Sequence, residues 1–186
     1  MRHLDSEERR AGLAARLEAH LLFQELMSLA ADRRQAARES RFGNLDLADL
    51  LVRESRCAQP EQPRQSEELA ELALAVADRV SPGAAEGRVN DLKALSLCLV
   101  ANARRLRGDW AGAEEVLRAA GRVLTAPPDS YERAFYCQTL AWLREEQGCV
   151  QEAVSLLWRA ARVFRDVGAQ EEQRACLGRL GALSGR

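Results

Sequence analysis

Lysine is almost missing from this chain of 186 residues: Lys93 is the only one among 27 basic residues. Isoleucine does not occur at all. Avoiding both is what a GC-rich coding sequence produces, so the expected source is bacterial and the arginine content is no sign of phosphate recognition. Neither charge sign is in excess, with 27 basic against 28 acidic side chains and a formal net charge of −1. That argues against a dedicated nucleic-acid binder, which shows a basic excess or stripe. An apolar fraction of 47% at so low a net charge argues against disorder. No uninterrupted apolar run reaches the ~18 residues that a membrane span needs. The N-terminus, MRHLDSEERR, has no apolar signal core, so the expected location is cytoplasmic.

Catalytic and metal-binding signals are equally scarce. The two histidines, His3 and His20, stand far from all five cysteines: Cys57, Cys98, Cys137, Cys149 and Cys176. No two of these form a CxxC pair, so no zinc site is expected, and the cysteines read as small buried hydrophobes in a reducing compartment. Neither a phosphate-cradling glycine loop nor a GxSxG elbow occurs. Acidic pairs such as Glu114-Glu115, Glu145-Glu146 and Glu171-Glu172 read as solvated helix faces. No enzyme activity and no cofactor are expected.

What is present is helical periodicity. Leu13, Leu17, Leu21, Leu22, Leu26 and Leu29 predict a long amphipathic helix over residues 4–30. A short helix over 31–40 and a turn at 41–44 follow, then a helix from Leu45 to Cys57. Pro60 and Pro63 break the pattern. Ser66 is placed to cap a helix ending near Val80, and Ser81-Pro82-Gly83 punctuates that end. Further helices are predicted over 85–107, 110–125, 130–147, 150–167 and from Gly168 to the C-terminus. No strand-like alternation appears, so the predicted class is all-α.

A shift of 40 residues superimposes the two clearest helix pairs. Ala101, Arg104, Gly108, Ala113, Leu117, Ala120 and Val123 fall on Ala141, Arg144, Gly148, Ala153, Leu157, Ala160 and Val163. In the same frame Leu140 meets Leu180, and Ala141 meets Gly181. For residues 66–80, shifts of 43 and 47 both fit. Self-similarity at a fixed period predicts stacked helical hairpins. Small residues at Ala113 and Ala153 let paired helices cross closely, and Gly108 and Gly148 reverse the chain.

At Leu97, Val100-Ala101, Gly108, Trp110, Ala113, Leu117 and Ala120, the chain resembles the tetratricopeptide repeat family. The next unit carries Cys137, Leu140-Ala141, Gly148, Val150, Ala153, Leu157 and Ala160. It departs from the family in its longer period, in the non-aromatic residue at the bulky position, and in having proline after one unit only. The resemblance implies a right-handed α-solenoid of antiparallel helix pairs over 45–186, with an N-terminal helical extension over 1–44. Its clearest units are 94–133 and 134–173.

More loosely, residues 20–168 resemble the repeat half of bacterial regulatory proteins with an anti-sigma-like zinc head. That head's His-x3-Cys-x2-Cys pattern falls on His20, Gln24 and Met27, so the zinc-binding module is absent.

The family resemblance implies a concave groove lined by first helices. It points to Leu95, Cys98, Asn102 and Arg105, then to Phe135, Gln138, Trp142 and Glu145. An Asn102 amide can both donate to and accept from a peptide backbone. Trp142 offers a flat apolar anchor, unless it and Phe135 pack on adjacent helices. The family's carboxylate clamp for chaperone tails is missing, with Cys98, Thr139 and Phe135 at its positions.

The expected function is non-enzymatic binding of a peptide or amphipathic helix of another protein. Two alternatives stand beside it: sequestration of a transcription factor, and self-assembly through terminal helices. For the latter, Leu177, Leu180 and Leu183 are read as one stripe. Either the last helix caps the array, or the chain is a fragment, or a partner covers that stripe.

Overall fold

Helix stop signals recur where the repeat predicts them. In the computed structural model, which describes residues 4–29, 33–81, 83 and 86–185, three helices end on a glycine at positive φ: Gly108 (81°), Gly148 (79°) and Gly168 (77°). At each, the next residue's amide reaches back to a carbonyl of the last turn. Asp109 N–H donates to Arg104 O at 3.0 Å, Cys149 N–H to Arg144 O at 2.8 Å, and Ala169 N–H to Phe164 O at 2.8 Å. These bonds satisfy carbonyls that the helix leaves open, and the left-handed conformation they need favours glycine.

Among the described residues the regular structure is entirely helical. The elements are α1 (Leu4–Ser28), α2 (Arg33–Ala36), a 3-10 turn (Ser40–Phe42), α3 (Leu45–Ala58), α4 (Pro63–Ala77), α5 (Glu86–Leu106), α6 (Trp110–Val123), α7 (Tyr131–Glu146), α8 (Val150–Asp166) and α9 (Gln170–Ser184). Side-chain caps start three of them: Asn44 accepts from Leu47 N–H, Asp109 from Gly112 N–H, and Ser130 from Arg133 N–H. Neighbours pack in sequence: α3 on α4, α5 on α6, α7 on α8, with α4 also against α5 and α8 against α9. α5 in turn touches α3 and α7, and α1 lies on α3.

The small residues read as crossing points are all fully buried. Ala113, Ala153, Ala120 and Ala160 have no exposed surface, and Ala101 and Ala141 are buried beside them. In α3 and α4 the same place is held by Ser55 and Ser66. Their hydroxyl oxygens lie 3.1 Å apart, and the Ser55 hydroxyl donates to Ser66 O at 2.8 Å. Ser66 is therefore not a cap: α4 begins earlier, at Pro63, whose fixed φ suits the first helical position.

This crossing also settles the register left open between 43 and 47. At 47, Ser66, Ala70 and Ala73 match Ala113, Leu117 and Ala120, and all three are buried. At 43, Leu74 would match Leu117, but Leu74 is only partly buried. An ion pair repeats in the same frame: Arg104 holds Glu67 of α4 at 3.0 Å, and Arg144 holds Glu114 of α6 at 2.6 Å. Much of the extra length lies in α5, with 21 residues against 16 in α7.

Glu114 gives this ion pair a pH signature. The Arg144 and Gln147 side chains donate to its carboxylate and outweigh its partial burial, holding its pKa down at about 2. A carboxylate depressed in the folded state stabilises above its unfolded pKa, and the contribution fades as pH falls towards the folded value. The stability difference between wild type and Glu114→Gln, measured by urea denaturation, is expected to be full at about pH 6 and to vanish near about pH 2.

The α1 pattern needs correction. Leu26 is fully buried and Ala19 nearly so, with Leu22, Phe23, Met27 and Leu29 partly buried against the same core. Leu13, Leu17 and Leu21 are 66%, 63% and 58% exposed. At about 100° per residue the six leucines do not form one stripe. Leu22, Leu26 and Leu29 meet the core, and Leu13, Leu17 and Leu21 do not.

The C-terminal stripe is also split. Cys176, Leu180 and Leu183 are the buried set of α9, and Leu177 stays outside it.

Candidate functional site

Between α3, α5, α7 and α9 runs a concave surface whose lining follows the repeat. Asn102, Arg105, Leu106 and Trp142 bound a depression of about 670 Å³, closed on one side by Arg56, Gln59 and Pro60. Its far wall is Arg174, Ala175, Gly178, Arg179 and Ala182 of α9. A second depression of about 520 Å³ adjoins it, with Trp142 shared and Phe135, Gln138 and Glu172 added. Positions 135, 138 and 142 become Ala175, Gly178 and Ala182 forty residues on. The lining therefore shrinks from aromatic and amide to small side chains, and this leaves the trough open.

The eight residues expected in the groove are unevenly placed. Trp142 is half-buried, with the Arg105 guanidinium carbon 5.6 Å from its ring centroid. Arg105 donates from Nε to Asn102 Oδ1 at 2.7 Å and is ion-paired to Glu146. Burial pulls the Arg105 pKa down, with Glu146 opposing the shift. Asn102 is buried and spends its carbonyl oxygen on Arg105. Phe135 is buried, stacked on Tyr131 with centroids 6.1 Å apart. Gln138 is buried too, and its amide nitrogen donates to Cys176 Sγ at 3.3 Å and Glu172 O at 3.4 Å. Glu145 stands off the lining and holds Arg179 Nε at 2.5 Å. Trp142 is thus left half-open to the depression, while Arg105, its side chain 12% exposed, braces it together with the buried residues of the wall. Leu95 lies in another depression, beside Leu99 and Tyr131. Cys98 faces the core, where burial raises its thiol pKa well above normal.

Sequence reasoning missed the residue that spans this surface. Arg56 of α3 reaches Glu172 of α9 in a direct ion pair, and its guanidinium lies 5.6 Å from the ring centroids of both Tyr131 and Phe135. Tyr131 also donates its hydroxyl to Glu172 at 3.0 Å. Partial burial pushes the Glu172 carboxyl up, but its own backbone amide, the Tyr131 hydroxyl and Arg56 outweigh that and hold it below the usual range. Gln59 extends the contact, donating to Leu99 O at 3.3 Å. Ser55 of α3 falls on Ala101 at a shift of 46, one less than the 47 that relates α4 to α6, so Arg56 and Gln59 fall on the Asn102 and Arg105 positions. That offset was the missing signal.

Among the described residues no cluster of metal-ligating side chains occurs, and no helix is long and apolar enough to cross a membrane. His20 is exposed, its Nδ1 2.8 Å from Arg16 O.

Comparison with known proteins finds no matching family model, no matching curated protein and no matching solved structure.

Proposed function

We propose that this chain is a non-enzymatic protein-interaction module, a right-handed solenoid of helix pairs that takes a peptide or an amphipathic helix of another protein in its concave groove. One observation carries the reading: Trp142 stands half-buried in an open trough, held by Arg105 and faced by the small residues Ala175, Gly178 and Ala182. A tryptophan fixed on one face and open on the other is the kind of anchor that dominates interface energetics. Arg105 keeps it in place. The resemblance to tetratricopeptide repeats supports the same use of the first-helix surface.

The test is selection of binding peptides from a displayed library, followed by affinity measurement. Trp142→Ala is expected to weaken the selected peptides at least tenfold, about 1.4 kcal/mol. Trp110→Ala, on an exposed residue at the start of α6, is expected to leave them unchanged. Peptides indifferent to Trp142 but lost with Trp110 would overturn the assignment of the groove.

A further inference from the structure

On α9, repeat positions buried in α7 are exposed. Cys137 and Ala141 of α7 are buried, and α7 packs on α8. Forty residues on, the same positions in α9 are Leu177 and Gly181. Leu177 is 41% exposed where Cys137 is 3% exposed, and Gly181 is exposed where Ala141 is fully buried. Between α8 and α9 lies a groove of about 460 Å³, floored by Ala161 and Leu177 and walled by Trp158, itself 59% exposed. Arg159, Arg162 and Arg165 rim it on the α8 side. Its apolar floor and one-sided arginine rim fit a helix with an apolar ridge and one acidic flank.

α1 is such a helix. Leu13, Leu17 and Leu21 stand four residues apart along the side of α1 turned away from α3, and form a continuous exposed ridge. Glu18 and Glu25 run along one edge of that ridge, and Arg16 and His20 along the other, as about 100° per residue requires. Glu25 also meets Arg41 of its own chain. α1 packs on α2 and α3 and leaves the ridge exposed.

We propose that the α8–α9 groove receives α1 of a second copy of this chain: the leucine ridge lies against Trp158 and Leu177, and Glu18 and Glu25 face the arginine rim. Such a contact joins two different surfaces, so each copy keeps one face of each kind open. Assembly then continues head to tail, closing into a ring or growing as a filament. The argument is independent of the concave groove, because none of these residues lines it.

Two substitutions on exposed residues test this without threatening the fold: Leu17→Glu blocks the ridge and Trp158→Glu blocks the groove. Light scattering coupled to gel filtration is expected to show wild-type mass rising beyond the dimer with concentration. Each variant alone is expected to be monomeric, with unchanged thermal stability. An equimolar mixture of the two is expected to give a dimer and nothing larger, since only one open ridge and one open groove remain. Wild-type protein that stays monomeric at every concentration overturns the proposal. Dimers of Trp158→Glu alone would mean ridge-to-ridge pairing, dimers of Leu17→Glu alone groove-to-groove pairing, and a mixture that stays monomeric no contact between the two surfaces; each overturns it too.

Discussion

Phe164→Ala is expected to cost about 3–5 kcal/mol, the range for emptying a buried aromatic site. In a chain of this length that lowers Tm by about 10 °C. Phe164 is fully buried on α8, and its ring centroid lies 5.6 Å from that of Tyr131 at an interplanar angle of 58°. Truncation removes the support beneath Tyr131, which stacks on Phe135 and holds Glu172 by its hydroxyl. The cavity therefore opens behind the wall of the concave surface as well as in the core. The control is Leu124→Ala, forty residues earlier and just past the end of α6, where a smaller side chain sits in a three-residue satellite cluster. It is expected to cost about 2 kcal/mol. Urea denaturation of both variants measures the comparison, and a loss below about 1 kcal/mol for Phe164→Ala would mean that this site is not packed as described.

The helices were legible because their punctuation is chemical and local. Glycine, proline, asparagine and aspartate act within a few residues of where they stand, so Gly108, Gly148, Asn44 and Asp109 mark boundaries that survive in the structure. The crossing alanines were legible through repetition, since two copies forty residues apart carry the same small residue. Periodicity was less informative where a helix has two apolar sides. α1 puts leucine both on the face that meets α3 and on the face that does not, and nothing local distinguishes Leu26 from Leu17. The same holds in α9 for Leu180 and Leu177. Which leucine is covered depends on what packs there, and that is a property of the assembly of helices.

The concave surface was half legible for a related reason. The family resemblance pointed to Asn102, Arg105, Phe135, Gln138 and Trp142, which line the two depressions, but not to the contacts each makes. A buried Gln138 and a buried Asn102 are partners of Cys176 and Arg105 in the wall, a fact set by side chains 38 and 3 residues away in sequence. Arg56 escaped because its unit is offset by the longer α5, so the repeat frame slid past it. Its partner Glu172 reads in sequence as one half of a solvated acidic pair. In the structure, burial beside Tyr131 and a fixed guanidinium give it a different environment.

Overfilling the close crossing of α5 and α6 is the second severe perturbation. Ala113→Leu adds three carbons at a position with no exposed surface, where the equivalent serines of α3 and α4 bring their hydroxyls to 3.1 Å. The added atoms cannot turn to solvent, so the helices must separate or the side chain must leave its preferred rotamer. Overpacking of this kind costs about 1–3 kcal/mol, and more where the surroundings are rigid. About 3 kcal/mol is expected here. Ala111→Leu, two residues earlier on the exposed side of the same helix, is expected to stay within about 0.5 kcal/mol of wild type. The pair separates packing from helix propensity, because both substitutions exchange the same residues in one helix. Equal effects on the urea midpoint would place Ala113 away from any close contact. A large effect confined to Ala113 ties the fold to small side chains where its helices cross.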